Sequence, residues 1–254
     1  MFDHSTLILV VIGVVPVGCA GPVAVSQSEL ARLHRLAIVS RVEHGPTVTV
    51  ARSEPGGLAL FPGESDAKKV DQRIALAIDK RESRFQVAER LRAELMRDLA
   101  SRPPWTQTVP AVEVASALET LLVEPKDEPP DFEALRQTGA DSVLDIAVKD
   151  FGVARRNGKI GLYAVVVAHL FTLPGRDTLY RHTIDADDAR DRQEELGTAS
   201  LLGTDDYRDA LEAMITRIGE ALAVDLGGRR APRGTEAPAG EAPTQAPGSS
   251  HSDN

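Results

Sequence analysis

The chain has 254 residues, of which 42% are hydrophobic and 4% aromatic, and its formal net charge at pH 7 is −9. This apolar fraction is sufficient for a folded core, so global disorder is excluded, and the length fits one large domain or two small ones. The negative charge, without a large Lys/Arg cluster, excludes nucleic acid as a partner, because phosphate binding requires a basic surface. A single cysteine excludes an intrachain disulfide.

The first segment of the chain is an apolar run from Leu7 to Val17, interrupted only by Gly13 and Pro16. It is too short to span a bilayer, which requires about 20 apolar residues. Its length is typical of the apolar region of a signal peptide, which has about 7–15 residues. The polar stretch that follows, 26–35, is typical of a mature N-terminus. We therefore predict a signal peptide at residues 1–18; the alternative is a buried strand or a short core helix.

The end of this segment, Pro16-Val17-Gly18-Cys19, resembles the lipobox of bacterial lipoproteins, Leu-(Ala/Ser)-(Gly/Ala)-Cys. Gly18 and Cys19 match the pattern, whereas Pro16 stands where the pattern has leucine. The resemblance implies cleavage after Gly18 and acylation, for example by palmitate, of the thiol and amine of Cys19. Several acyl chains together give firm membrane anchoring. Ala20 in place of aspartate after the cysteine implies the outer membrane, with the protein on its periplasmic side. The alternative is that Cys19 is a bystander thiol.

The mature chain is predicted to start with a lipidated N-terminus and tether, residues 19–32, and to continue as one domain over residues 33–226. Two apolar segments, 35–41 and 47–52, are predicted to be strands joined by a turn at His44-Gly45-Pro46. A Gly/Pro-rich loop, residues 53–66, follows them. Apolar residues then recur at helical spacing, and capping and breaking residues delimit the segments. The predicted helices before the next strand are 79–100, 112–122 and 131–138.

Residues 142–184 are predicted to form a three-stranded antiparallel meander. The first strand alternates between an apolar face and a wetter face that carries Asp145. Asn157-Gly158 is a strong signal for a two-residue hairpin turn. The second segment, GLYAVVVAHLFTL, is apolar at both alternating positions, so we expect a central strand that is covered on both faces. A turn at 174–177 leads into the third strand.

The C-terminal region contains one more predicted helix, residues 204–226, which ends at Gly227-Gly228. Residues 227–254 are rich in Pro, Gly, Ala and Ser and are predicted to be disordered, because they cannot bury enough apolar surface to offset the entropy of ordering. The predicted fold class is α+β or mixed-sheet α/β: a single domain with a largely antiparallel sheet packed by helices.

The segment ALRQTGADSVLDIAVKDFG followed by GLYAVVVAHLFTLPGRDTLYR resembles a pattern of bacterial envelope lipoproteins. The group includes the curli-secretion lipoprotein, the N-terminal domain of TolB and the lipoproteins that activate peptidoglycan synthases. The resemblance extends over residues 80–226. It implies an envelope interaction or assembly module that has no cofactor.

A search for reactive residues identifies no catalytic motif, so we expect that the protein is not an enzyme. Ser65-x-x-Lys68 has the form of a penicillin-binding nucleophile motif, but its Lys-Thr-Gly partner is absent. His169 and His182 fall in neighbouring predicted strands without the further ligands that a structural zinc site needs, so we predict no metal site. The alternative is an enzyme without a recognisable motif.

The sequence is compatible with two functions. The first is a non-enzymatic, lipid-anchored envelope protein that binds another protein or copies of itself. The second is a periplasmic domain that binds a small molecule or glycan. The second predicts a pocket around Tyr163 and His169, near the ends of the central strand, whereas the first predicts an exposed apolar patch. His182 is included as a further candidate pocket or interface residue.

Overall fold

A mixed β-sheet organises the residues that the computed structural model describes, namely 22–51, 66–99, 103–118, 130–191, 196 and 205–227. The strands are β1 (Arg35–Val42), β2 (Thr47–Thr49), β3 (Gln107–Thr108), β4 (Ser142–Arg156), β5 (Lys159–Thr172) and β6 (Thr178–Asp187). The helices are α1 (Gln27–Leu30), α2 (Ala67–Arg81), α3 (Arg84–Leu99), α4 (Ala111–Ala117), a 3-10 helix (Phe132–Thr138), α5 (Asp188–Asp191) and α6 (Asp206–Asp225). The predicted mixed α/β class is confirmed.

The predicted meander is present, because β4, β5 and β6 are consecutive antiparallel neighbours in the strand order β3-β1-β4-β5-β6. Asn157 and Gly158 form the turn between β4 and β5 with φ values of 52° and 81°. Two consecutive positive φ values are the geometry of the type I′ turn, whose twist matches that of the strands it joins. The Asn-Gly pair therefore determines the position of this hairpin.

The turn predicted at His44-Gly45-Pro46 does not reverse the chain, so the first two strands do not pair with each other. Both are parallel to β4: β1 pairs with residues 142–148, and β2 pairs with residues 152–154 further along the same strand. The intervening residues follow β4 instead of reversing, since Glu43 N donates to Val148 O at 3.0 Å and His44 Nδ1 lies 3.1 Å from Lys149 O. A 15-residue β4 is too long for β1 alone to cover.

The helix predicted at residues 79–100 is two helices, α2 and α3. The chain adopts an extended conformation at Glu82, which is buried and forms an ion pair with Arg90 at 3.0 Å. Phe85, placed on the buried stripe of the predicted helix, is 56% exposed. The prediction omitted most of α2, although Asp66 caps its first turn by accepting from Lys68 N. The buried stripe of α2 consists of Val70, Ile74 and Ile78.

The shorter predicted helices are confirmed with changes. The segment predicted at 112–122 begins as α4, and residues 119–122 lie outside the described part of the chain. The segment predicted at 131–138 is the 3-10 helix, in which Asp131 accepts from Glu133 N at 3.1 Å as the predicted cap. The C-terminal helix, α6, ends at Asp225 with Leu226 as its C-cap, and Gly227, which follows, has φ of +83°.

The two faces of the sheet are covered differently. The main apolar core lies between one face and helices α2, α3 and α6. On the other face, a smaller cluster involving α4 and the 3-10 helix covers one end, where Phe132 and Phe171 meet edge to face at 5.3 Å. At the opposite end α5 approaches closely, because a Cβ on Gly161 would lie 2.4 Å from Ala189 N. The second face is therefore covered by helices at its two ends, and its middle is described below.

The N-terminal segment contacts the folded body from Val23 onward. Val23 forms an antiparallel bridge with Arg181 on β6, and a capping box of Ser26 and Glu29 begins α1. Leu30 is completely buried. Part of the predicted tether, residues 19–32, therefore packs on the sheet, whereas Gly18, Cys19 and the tail from 228 onward lie outside the described residues. Within the described ranges, no helix is both apolar and long enough to cross a bilayer.

Candidate functional site: the open strip of the sheet

The middle of the second sheet face is a surface that we call the open strip: Arg41, Asp145, Val165, Val167, His169, Arg181 and Thr183. These residues share one face because Asp145, His169 and Arg181 are aligned in register across β4, β5 and β6. Val165, Val167 and His169 are half-buried, whereas the alternate residues of β5 are buried in the main core. The expectation that β5 is covered on both faces is therefore not met at these three positions, whereas Phe171 and Gly161 on the same face are buried. Among the described residues, α4, the 3-10 helix and α5 cover the two ends of this face, and no helix forms a layer over its middle.

A network of ion pairs forms the β1–β4 side of the strip. Arg41 donates to both carboxylate oxygens of Asp145 at 2.9 Å and to Glu43 at 2.6 Å. Lys149 Nζ also donates to Glu43, at 2.5 Å. Asp145 is only 7% exposed, so the face predicted to be wetter is dry at this position. Bidentate pairing of this kind fixes orientation as well as charge.

The protonation of the network follows from these contacts. Burial lowers the pKa of Arg41, but its bonds to Asp145 and Glu43 outweigh this effect and raise the pKa overall. Burial raises the pKa of Glu43, but hydrogen bonds from Lys149 and Arg41 bring it below its ordinary value of 4.5. Both groups are therefore charged at neutral pH, and the network is held together by opposite charges.

Tyr163 and His169 lie on this same face of β5. Tyr163 Oη donates to Asp150 at 3.3 Å, and burial together with the Asp150 charge raises the Tyr163 pKa to about 12. His169 Nε2 shares a 2.8 Å hydrogen bond with Thr178 Oγ1, and its ring lies 4.9 Å from that of Phe171. The two residues are six positions apart, which is about 20 Å along a strand. They do not converge on a single small-molecule pocket.

His182 lies on the opposite face of the sheet from His169, because it is in register with Ala168. Its Nδ1 contacts the Asp225 carboxylate of α6, which also accepts from Tyr180 Oη at 3.0 Å. Burial and the Asp225 charge raise the pKa of Tyr180 above its ordinary value. This cluster connects the end of α6 to β6. The structure therefore does not bring the two histidines together.

Arg41, Glu43 and Arg181 belong to the site but were not among the residues predicted from the sequence. A signal for the first was present, because Arg41 and Asp145 are opposite charges inside two otherwise apolar strands. Buried charges occur almost only in pairs, so two such strands are expected to be neighbours. Arg181 had no comparable signal, because its role depends on an edge position that only the topology reveals.

Metal-binding clusters and clefts are the other kinds of site to consider among the described residues. No group of three or more His, Cys, Asp or Glu side chains in the described ranges is close enough together to bind a metal. A cleft of about 730 Å³ lies between α4 and the 3-10 helix, with Glu113, Asp131 and Thr138 among its lining residues. It is on the side of the sheet away from β6. Tyr163, His169 and His182 are not among the residues that line this cleft.

Comparison with known proteins gives structural likeness only. No family model matches the chain, and no curated protein matches it. Among solved structures, the PelC dodecamer from Paraburkholderia phytofirmans is 13% identical, with a TM-score of 0.34 and coverage of 83% of this chain and 97% of that chain. The hypothetical protein CT253 from Chlamydia trachomatis is 13% identical, with a TM-score of 0.30 and coverage of 76% and 99%. The LpoB C-terminal domain from Escherichia coli is 12% identical, with a TM-score of 0.26 and coverage of 64% and 96%. Likeness at this level does not establish a shared function.

The environment of His169 predicts a pH dependence of stability. Burial, followed by the nearby Arg181 charge, lowers the His169 pKa below its ordinary value of 6.5. The folded state then binds a proton less readily than the unfolded state, so this contribution to stability is complete above about pH 6.5 and is lost as pH falls through the folded pKa. Urea unfolding of His169→Gln is expected to show a weaker fall in the free energy of unfolding between about pH 7 and 5.5.

The control is His34→Gln, because His34 is exposed. This variant is expected to retain the pH dependence of the wild type. An unchanged slope in His169→Gln, or an equal loss of slope in His34→Gln, would show that His169 does not carry the effect.

Proposed function

We propose that this chain is a non-enzymatic lipoprotein, anchored through acylated Cys19 on the periplasmic side of the outer membrane, that binds another protein through the open strip. The proposal rests on the composition of the open strip. A sheet face that leaves β-branched residues half-buried, next to charged groups of both signs, has the composition of a protein interface: an apolar centre with a polar rim. The lipobox-type sequence supports the anchor.

The chemistry of the strip indicates what the partner presents. Val165 and Val167 offer adjacent apolar contacts on one strand. Arg181 is exposed, and its guanidinium forms no ion pair with any residue that the structure describes. A matching partner surface therefore has apolar side chains at its centre and a carboxylate opposite Arg181. The separation of Tyr163 from His169 favours a protein surface over a small-molecule pocket.

The anchor is tested by intact-mass measurement of protein extracted from membranes, with Cys19→Ala as the comparison. The wild type is expected to begin at Cys19 with acyl chains attached and to float with vesicles in a density gradient. Cys19→Ala is expected to lack the acyl mass and to lose flotation, since the alanine variant has no thiol for the first acyl group. A soluble wild-type protein that still begins at Met1 would contradict the anchor.

The binding surface is tested by photo-crosslinking in intact envelopes. A crosslinking amino acid at Val167 is expected to give a discrete protein adduct, identified by mass spectrometry, that weakens in an Arg181→Glu background because the new charge repels the carboxylate of the partner. The matched control is the same crosslinker at Val112, which is 75% exposed on α4, away from the strip. Equal adducts from both positions, or none from Val167, would count against the strip as the interface.

A further inference from the structure

The chain is attached to its folded body very early in the mature sequence. Val23 N donates to Arg181 O at 2.8 Å, and Arg181 N donates to Val23 O at 2.9 Å, so Val23 is fixed to the outer edge of β6. Val25 packs against the main core, and Leu30 is completely buried in it. The segment from Val23 to Leu30 is thereby attached to the folded body at both of its ends.

Only four residue steps separate Cys19 from Val23, a distance of at most about 14 Å in a fully extended chain. A domain of about 190 residues has a radius of gyration near 16 Å and is wider than this connection is long. The body therefore cannot turn a different side toward the bilayer. Given the anchoring of the proposed function, on which this inference rests, we propose that the outer edge of β6 is the surface of the body that faces the membrane.

The charges along this edge do not oppose its approach to lipid headgroups. Each carboxylate of β6 and α5 has a cationic partner, since Asp187 pairs with Arg156 at 3.2 Å and Asp188 with Arg217, but Asp185 and Asp191 share the single cation Arg190 at 3.1 and 2.9 Å. Arg181 is the exposed cation on this edge whose side chain forms no ion pair within the described ranges. Arg181 therefore balances the carboxylate charge in excess at Arg190, and this edge is close to neutral in a chain whose net charge is −9.

This orientation has two consequences for access. Gly227, which follows α6, lies against the side chain of Gln27, so the end of α6 also lies beside the anchored segment. The other edge of the sheet is β3, four strand spacings from β6, which is about 19 Å, and α4 covers the sheet at that end. The sheet then stands with its edge toward the bilayer, and the open strip faces sideways, where a neighbouring protein can reach it.

The test measures energy transfer from the protein to lipid on the acylated full-length chain in anionic vesicles that carry a headgroup-linked acceptor. A donor is placed at Thr183→Cys on the β6 edge or at Val112→Cys on α4. Because the Cys19 thiol is acylated, each introduced thiol is the only free one. At equal acceptor density, transfer from Thr183→Cys is expected to exceed that from Val112→Cys about twofold, given the separation of the two edges.

A Val23→Pro variant provides the internal control. Proline removes the amide that bonds to Arg181 O, so the free connection lengthens toward Leu30 and the difference between the two labels is expected to shrink. Equal transfer from the two sites in the otherwise wild-type chain, or stronger transfer from Val112→Cys, overturns the proposed orientation. Failure of the wild-type chain to float with vesicles overturns the anchoring itself, so the two failures are distinguishable.

Discussion

Gly152→Ala is expected to destabilise the protein by about 3 kcal/mol, because this β4 position has no space for a methyl group. A Cβ at Gly152 would lie 1.8 Å from Thr47 O and 2.7 Å from Thr47 C, and both are backbone atoms of β2. A rotamer change cannot relieve an overlap with backbone. The alanine therefore displaces β2 and disrupts its parallel pairing with residues 152–154. Chemical denaturation measures the loss as a lower transition midpoint.

Gly45→Ala is the matched control, because a Cβ at Gly45 meets no atom within 4 Å. Both substitutions add one methyl group, and neither glycine has positive φ. Gly45→Ala is expected to change the free energy of unfolding by less than about 0.5 kcal/mol, which is usual for an exposed site. If both variants unfold at the same denaturant concentration, the close approach of β2 to β4 is not present in solution.

The sequence was most informative where local chemistry determines the structure. Asn157-Gly158 located the β4–β5 hairpin because few residue pairs adopt two consecutive positive φ values, and Asp131 located the start of the 3-10 helix by its capping bond. The turn between β1 and β2 was predicted wrongly because the local signal at Gly45-Pro46 says nothing about which strand is the neighbour. The length of β4 determines that pairing, and it is a non-local property.

The candidate site was predictable only in part for a similar reason. The apolar run correctly placed Tyr163 and His169 on one strand, and alternation shows that they share a face. Alternation does not show whether a second layer covers that face. Val165 and Val167 are as apolar as the buried Val166, and only the position of the helices leaves them half-buried. The bridge between Val23 and β6 was also invisible in the sequence, because an isolated pair leaves no periodic pattern.

Asp145→Ala is expected to cost about 3–5 kcal/mol in the free energy of unfolding, since it leaves the Arg41 guanidinium in a largely buried position without its bidentate acceptor. Asp145 is 7% exposed and supplies both oxygens that Arg41 contacts at 2.9 Å. Glu43 remains as a partner for Arg41, but Lys149 competes for the same Glu43 oxygen. Denaturant unfolding at pH 7 gives the change directly.

Asp185→Ala is the control, because its pair with Arg190 is exposed on both sides and pairs of this kind contribute about 0–1 kcal/mol. A double variant, Arg41→Met with Asp145→Leu, removes both buried charges together and is expected to be more stable than Asp145→Ala alone, because no unpaired ion remains. If the double variant is as unstable as Asp145→Ala, lost packing rather than an unpaired charge explains the cost. In that case the Arg41–Asp145 pair does not fix the β1–β4 side of the open strip.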